Sequence, residues 1–209
     1  MTSTQTDTVG FSERVRNALR RRWLHFGLRD ISNNDNHEGL ERLYRLHDPW
    51  HLDSHREHIR FDLTNREITH AFGRVGKLLE IGSGEGYQSM YLRRLCDELW
   101  GVEVSKTAVE RAEARLPDAK FFVGDVNSQP WSQEIKQFDL VVACEVLYYI
   151  SDIQGTLGTM NRLGKACFVS FFSPEVYKLT GLIEAIPGVQ KSWIAHDRTA
   201  WLLAYWTNE

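Results

Sequence analysis

Residues 78–86 of the chain read LLEIGSGEG, a short apolar run that passes directly into a loop with glycine at positions 82, 84 and 86. This pattern is typical of a buried strand followed by a turn whose backbone comes close to a ligand. A dinucleotide fingerprint needs Gly or Ala at position 87, where this chain has Tyr87, and no Lys-Ser or Lys-Thr pair completes a phosphate loop. The loop is therefore typical of a ligand without a pyrophosphate, and S-adenosylmethionine (SAM) is such a ligand.

Strands and helices alternate after residue 76, which implies parallel strands joined by right-handed crossovers. Residues 196–198 read as a tight hairpin turn, so the last strand runs antiparallel. The predicted fold class is α/β, a single Rossmann-like doubly wound sheet of about seven strands. The predicted strands are 77–81, 99–104, 120–123, 138–144, 166–172, 189–195 and 199–206, and the predicted helices are 87–95, 106–115, 151–163 and 173–186.

The region before the alternating part reads as helix and loop. We expect residues 1–75 to form an N-terminal helical extension, or cap, on a core at 76–209. Its predicted helices are a basic one at 14–22 and two others at 38–46 and 54–72, and Pro49 interrupts the chain between the last two. Residues 1–10 are polar and lack the apolar run of a signal peptide.

Bulk properties set limits on the class of protein. The chain has 209 residues, which suits one well-filled domain, and its net charge of −3 gives no general attraction to nucleic acid or membrane. Cys96, Cys144 and Cys167 fit neither a zinc site nor a disulfide framework, so we expect a cytoplasmic protein. No apolar stretch is long enough to span a bilayer.

Acidic residues lie at the carboxyl ends of the first three predicted strands, where ligands bind in open α/β sheets. Glu80 precedes the glycine loop and suits a ligand with an ammonium group. Glu103 ends the second strand and can accept hydrogen bonds from both ribose hydroxyls. Asp125 follows the third strand and can accept from an adenine amino group, with Val104 and Val126 against the ring. Each acid taken alone is also typical of an ordinary strand end or turn. The occurrence of all three at neighbouring strand ends is what indicates a SAM site.

The fourth predicted strand ends in a segment that reads Cys144-Glu145-Val146-Leu147-Tyr148-Tyr149. Backbone carbonyls near Cys144 can hold the ammonium group of the ligand. Tyr148 and Tyr149 either face the transfer site or pack beneath it. The Cys144 thiol reads as a small buried group and not as a nucleophile, because no basic residue adjoins it in sequence.

Together, the segments 80–86, 102–105, 124–126 and 145–149 resemble the SAM-dependent methyltransferase superfamily, over about residues 48–172. Within it, Asp48-Pro49-Trp50, the following helix and the segment 145–149 are most similar to the NodS-like group, which methylates an amine on a sugar-derived signal molecule. The resemblance implies SAM as cofactor, S-adenosylhomocysteine (SAH) as product and a small-molecule acceptor such as a sugar-derived amine. The cofactor-binding residues it implies are Glu80, Gly82, Ser83, Gly84, Gly86, Glu103, Val104, Asp125, Val126, Cys144, Glu145 and Trp50.

No general base is identified, and the candidates for a catalytic role are His51, Tyr148 and Tyr149. His51, His55 and His58 at near-helical spacing read as a base near the site, as a partly exposed helix face or as a metal site, and we predict no metal. Trp50 either covers the cofactor or anchors the N-terminal helices.

Two alternative functions stay open. The first is an RNA 2′-O- or base methyltransferase, whose phosphate contacts would come from arginines in the basic helix 14–22. However, the metal-binding Glu-His of the small-RNA enzymes is replaced here by Tyr148-Tyr149. The second is a SAM-binding regulatory protein without transfer activity. A small acceptor predicts a closed pocket beneath the N-terminal helices, whereas RNA predicts an open basic groove.

Overall fold

A seven-stranded sheet organises the computed structural model, which describes residues 36–131 and 137–208. The strands are β1 (Val75–Ile81), β2 (Cys96–Glu103), β3 (Lys120–Val123), β4 (Phe138–Cys144), β5 (Gly164–Phe172), β6 (Gln190–His196) and β7 (Thr199–Thr207). Their order across the sheet is β3-β2-β1-β4-β5-β7-β6. Strands β1 to β5 pair in parallel, and β7 is antiparallel to both of its neighbours. The predicted fold class, with its reversed last strand, is confirmed.

Helices precede the sheet and connect its strands. They are α1 (His37–Leu43), α2 (His55–Phe72), α3 (Ser89–Leu92), α4 (Lys106–Arg115), α5 (Ile153–Leu163) and α6 (Thr180–Glu184), with 3₁₀ segments at Arg93–Leu95, Val126–Ser128, Leu147–Tyr149 and Ser173–Lys178. The predicted bounds of α4, β3 and β4 are confirmed. The Ser105 hydroxyl oxygen caps α4, because it accepts a hydrogen bond from the Ala108 N–H at 3.1 Å.

Two predicted helices are wrong in form. The helix expected at 87–95 is only one turn of α-helix and a 3₁₀ turn, since β2 begins at Cys96, which pairs with Val75 at the start of β1. The helix expected from Ser173 begins instead with six residues of 3₁₀ helix. The sequence predicts Ser173 as the cap of this helix. Instead, Ser173 lies inside the 3₁₀ segment and Phe172 occupies the cap position.

Apolar side chains pack on both faces of the sheet, as a parallel sheet covered by helices requires. Successive residues point to opposite faces, so Leu79 joins one buried cluster with Met160 of α5, and Leu78 joins another with Ile68 of α2. Helix α2 thus lies on one face of the core and α5 on the other.

The closing hairpin brings β7 back to the carboxyl edge of the parallel strands. Asp197 and Arg198 both have positive φ (46° and 60°), which is typical of a two-residue turn matched to the twist of the strands. Because β7 runs antiparallel, its first residues lie beside the last residues of β5, with Trp201 opposite Phe172. The N-terminal end of β7 therefore contributes to the same edge as the loops after β1 and β4.

Helices α1 and α2 precede the sheet, but the division of the chain at residue 75 stays a prediction. The first strand begins at Val75 itself. The predicted tail at 1–10 and the basic helix at 14–22 lie outside the described residues. Within the described ranges, no helix is both long enough and apolar enough to cross a membrane.

Candidate functional site

A cavity of about 500 Å³ lies at the carboxyl edge of the parallel strands, beneath α1 and α2. Its wall comes from the ends of β1, β2, β4 and β5, the loops after β1, β2, β3 and β4, the start of β7, and the two N-terminal helices with the segment between them. The lining includes these predicted cofactor residues: Trp50, Glu80, Gly82, Ser83, Gly84, Glu103, Val104, Asp125, Val126, Cys144 and Glu145. Tyr148 and Tyr149 line the cavity as well.

The backbone of the glycine loop has a conformation that residues other than glycine would strain. Gly82, Gly84 and Gly86 have φ of 71°, 52° and 81°, a region that residues with a Cβ rarely adopt. A Cβ on Gly82 would come within 2.5 Å of the Val146 side chain, and one on Gly84 within 3.1 Å of the Tyr44 hydroxyl. The loop therefore offers its backbone directly to the cavity.

The predicted ribose residue, Glu103, also shapes the glycine loop. One carboxylate oxygen accepts from the Gly84 N–H at 3.1 Å, and the other accepts from the Ser105 N–H at 3.0 Å. Each oxygen keeps a further lone pair that can accept a hydroxyl hydrogen. The side chain thus links the first loop to the end of β2, at the wall of the cavity.

Burial raises the pKa of three carboxyl groups in the lining of the cavity. The pKa of Glu80 rises to about 8, because it is buried and Glu103 lies near it, although a hydrogen bond from the Ser89 hydroxyl and the charge of Arg60 oppose the rise. The pKa of Glu103 is raised by burial, against backbone hydrogen bonds from Ser105, Gly84 and Val104. Burial likewise raises the pKa of Glu145. A cationic ligand would reverse these shifts.

The segment that joins α1 to α2 is attached to the glycine loop through one buried carboxylate. Glu85 accepts the Asp48 N–H at 2.9 Å and forms an ion pair with Arg111 of α4. This attachment places Trp50 at the cavity, where its ring lies 5.4 Å from the Tyr149 ring and its indole N–H donates to the Tyr44 hydroxyl at 3.2 Å. Trp50 therefore both lines the cavity and contacts the N-terminal region.

Sequence reasoning missed a buried polar group on α2. Arg60 is 3% exposed; its guanidinium donates to Glu57 at 2.7 Å and to the Gln88 side-chain oxygen at 3.0 Å. All three residues line the cavity. The sequence contains a pattern that could have indicated this group. A helical period connects the buried positions of α2, which are 57, 60, 61, 64, 65 and 68. Charged residues within that stripe mark a polar site.

Two predicted site residues, Gly86 and His51, lie outside the lining of the cavity. Gly86 is not part of the cavity lining; a Cβ there would lie 3.1 Å from the Ala112 backbone, so this glycine permits close packing of the loop on α4. His51 precedes α2 with a φ of 57° and also lies outside the lining, as do His55 and His58. His58 instead contacts the Tyr91 hydroxyl at 2.7 Å. In the described ranges no cluster of His, Cys, Asp and Glu could hold a metal ion.

Two buried polar atoms of the lining lack a hydrogen-bond partner within the described part of the chain, the Ser83 hydroxyl oxygen and the Gln88 side-chain nitrogen. Burying such atoms without a partner costs free energy, so a polar ligand is expected to satisfy them. The amino-acid end of SAM has a carboxylate and an ammonium group. The orphaned atoms, the bare glycine backbone and the carboxylates of the wall therefore fit SAM.

Comparisons with known proteins agree with this fit. A family described as "Methyltransferase domain" matches residues 79–166. Nodulation protein S of Bradyrhizobium diazoefficiens is 32% identical over 146 residues, which cover 69% of this chain and 67% of that protein. Nodulation protein S of Sinorhizobium fredii is 28% identical over 162 residues, covering 73% and 68% of the two chains.

Among solved structures, the fold is similar to that of the N-methyltransferase NodS from Bradyrhizobium japonicum WM9 in complex with SAH. The TM-score is 0.68 at 24% identity, and the match covers 82% of this chain and 97% of that one. The predicted superfamily, group and cofactor are confirmed. The chain belongs to the nodulation protein S family and is a SAM-dependent methyltransferase.

Proposed function

We propose that the protein transfers the methyl group of SAM to the nitrogen of a small amine, with sugar-derived amines as the first class to test. The cavity beneath α1 and α2 carries this proposal, because its acidic side chains outnumber its basic ones. The acidic ones are Glu57, Glu80, Glu103, Asp125 and Glu145, and the basic ones are His37, Arg56 and Arg60. Such a wall favours cationic ligands and disfavours the phosphates of RNA. The similar NodS protein of Bradyrhizobium japonicum WM9 is an N-methyltransferase, which supports a nitrogen acceptor here.

We assign the cofactor contacts by position in the cavity. The ribose hydroxyls would bind Glu103, and the adenine would lie against Val104 and Val126 with its amino group near Asp125. The amino-acid end would lie over residues 82–84, with its ammonium group near Glu80 and the backbone carbonyl of Cys144. Bound SAM supplies a methyl group on a sulfonium that leaves as a neutral thioether, so the protein contributes chiefly alignment.

We also propose a reducing, cytoplasmic setting. The three cysteines are free thiols in the structure, and burial raises the pKa of each: to about 11 for Cys96 and to about 12 for Cys144 and Cys167. Thiols of this kind are structural and unreactive. The Cys144 thiol is therefore not assigned a role in methyl transfer.

A matched panel of acceptors tests the proposed function. Purified protein with radiolabelled SAM is offered D-glucosamine, 2-phenylethylamine and ethanolamine, each beside its alcohol counterpart D-glucose, 2-phenylethanol and ethylene glycol, and beside total RNA. We expect label in at least one amine and in none of the alcohols. Label confined to RNA would support the RNA alternative, and tight SAM binding without any label would support the regulatory protein.

Cofactor binding is expected to release protons at pH 7. With a pKa of about 8, Glu80 is mostly protonated at pH 7 in the free protein. An ammonium group bound beside it favours the carboxylate and lowers that pKa, so a fraction of a proton leaves for each SAM bound. Calorimetry in buffers with different ionisation enthalpies measures this number. Glu80→Gln should remove most of the release, and release that is unchanged in the variant would contradict the assignment of Glu80.

A further inference from the structure

Past the tip of β4, the cavity continues to the ends of β5 and β7, beyond the part assigned to the cofactor. Aromatic side chains form most of this region: Trp50, Tyr148, Tyr149, Phe172 and Trp201. Strand order places β2 and β3, which bear the ribose and adenine residues, on the opposite side of β1. This region is therefore where the acceptor would lie.

Two carboxylates remain in the lining once Glu80, Glu103 and Asp125 are assigned to SAM. Glu57 is already paired with cations, since it binds Arg60 at 2.7 Å and Arg56 at 3.0 Å. Glu145 accepts hydrogen bonds from two neutral donors, the Ser170 hydroxyl at 2.8 Å and the Tyr148 hydroxyl at 3.1 Å. The charge of Arg60 acts on both carboxylates, but of the two only Glu145 forms no hydrogen bond with a cationic side chain within the described residues, so its lone pairs can accept from a cationic acceptor.

The backbone of Glu145 is held in an unusual conformation that fixes where the carboxylate lies. Its φ is 59°, in the left-handed region, which is costly for a residue with a long side chain. The strain is held in place because the Glu145 N–H donates to the Ser170 carbonyl of β5 at 3.1 Å. Backbone and side chain are thus both bound to Ser170, on the β5 side of the cofactor loop.

We propose that Glu145 is the catalytic residue on the acceptor side, where its carboxylate binds the acceptor as an ammonium ion and takes one proton from it. This inference rests on the proposed function and reassigns Glu145, which the sequence placed among the cofactor residues. Tyr148 and Ser170 would act as positioning residues, because each donates a hydrogen bond to the Glu145 carboxylate.

The proton balance of the step is simple. One N–H proton of the ammonium ion moves to the Glu145 carboxylate and leaves a neutral amine with a free lone pair. That lone pair forms the new N–C bond to the methyl carbon, while the C–S bond breaks and its electron pair stays on sulfur. The products are a methylated ammonium ion and neutral SAH, and Glu145 releases its proton to water. No oxidant, reductant or metal is needed.

The surroundings of Glu145 suit a group that takes up a proton more readily than an exposed carboxylate does. Burial raises its pKa, and the charge of Arg60 with the two hydroxyl donors limits the rise. The titratable and charged groups that act on it come from three elements: Arg60 and Glu57 of α2, Cys144 of β4, and Tyr148 and Tyr149 of the following 3₁₀ turn. The carboxylate is thus a stronger base than an exposed one, while Arg60 favours its charged form.

The test compares Glu145→Gln with the wild type, with the three amines of the panel as acceptors. Because general base catalysis contributes about 100-fold or more, kcat/KM for methyl transfer should fall by about that factor. The affinity for SAH, measured by calorimetry, should stay within about threefold, since no cofactor contact is lost. Glu145→Asp keeps a carboxylate and should retain part of the activity. Glu175→Gln is the matched control, because Glu175 influences the neighbouring Tyr149 but lies outside the cavity lining.

A second variant tests the positioning role by the pH profile. Tyr148→Phe removes a hydrogen bond that stabilises the Glu145 carboxylate, so the pKa of Glu145 should rise. The acidic limb of kcat/KM should therefore move to higher pH by up to about one unit, the equivalent of one hydrogen bond. The amine is the same in both measurements, so its own titration does not contribute to the difference.

The outcomes separate the two proposals. If the wild type methylates an amine and Glu145→Gln does so at an equal rate, the role of Glu145 is wrong while the proposed function stands. If SAH affinity falls as far as activity does, Glu145 belongs to the cofactor site. If the wild type methylates none of the amines, the proposed function fails and the inference fails with it.

Discussion

Glu103→Gln is expected to weaken SAM binding by roughly 10- to 150-fold, the equivalent of about 1.5–3 kcal/mol for a lost hydrogen bond to a charged group. In the present structure, both carboxylate oxygens accept backbone N–H groups, from Gly84 and Ser105. A glutamine must place its amide nitrogen against one of these donors, so one backbone N–H loses its acceptor. The amide nitrogen also cannot accept a ribose hydroxyl.

Calorimetry with SAM and with SAH measures this effect, and Glu98→Gln provides the control. Glu98 lies on the same strand but is exposed, and it pairs with Lys120 at 2.8 Å. Exposed ion pairs of this kind contribute little, so its substitution should leave both affinities unchanged. Adenosine alone should show the same loss with Glu103→Gln, because the ribose contact does not depend on the methionine part. Equal affinity of wild type and Glu103→Gln for all three ligands would exclude the ribose assignment.

The sheet could be predicted from the sequence because local patterns decide its elements. Runs such as 138–144 are mostly apolar, and a parallel sheet buried on both faces needs little more. The glycine loop and the acids at the ends of β1, β2 and β3 could be found for the same reason. Each lies at or just after the carboxyl end of a strand, so the carboxyl edge of the sheet brings them together without further information.

The acceptor side could not be predicted in the same way, since its residues are far apart in sequence. Arg60 lies on α2, Phe172 ends β5 and Trp201 lies near the start of β7, and only the packing of α2 and the reversal of β7 bring them to one cavity. The sequence singles out His51, His55 and His58, because imidazole groups can act as bases or as metal ligands. However, the helix turns Glu57 and Arg60 inward and leaves His55 exposed.

The short helix α3 shows a further limit of sequence patterns. Residues 87–95 have a composition suited to a longer helix, yet β2 begins at Cys96 because strand pairing with β1 extends back to Val75. Sheet pairing is a tertiary effect and overrides local preference at this point. The consequence for the site is favourable, because the short connection keeps Gln88 and Ser89 next to the cavity, where Ser89 donates to Glu80.

Gly82→Ala is expected to destabilise the protein by about 3 kcal/mol and to weaken SAM binding at the same time. A φ of 71° costs an alanine about 1–2 kcal/mol. The new Cβ would also lie 2.5 Å from Cγ2 and 2.9 Å from Cβ of Val146, so the loop or the segment after β4 must shift. Either shift moves the backbone that is assigned to the amino-acid end of SAM.

Two controls separate the clash from the backbone strain. Gly188 has a similar φ of 70° with open space around it, so Gly188→Ala should cost only the backbone part, about 1–2 kcal/mol in chemical denaturation. Val146→Ala removes the nearest methyl groups but leaves its own Cβ close to the new one. The double variant Gly82→Ala/Val146→Ala should therefore be more stable than the two single effects predict when added, by about 1 kcal/mol. Strict additivity of the two free-energy changes would show that glycine is required at position 82 because of its backbone conformation, and not because of its contact with Val146.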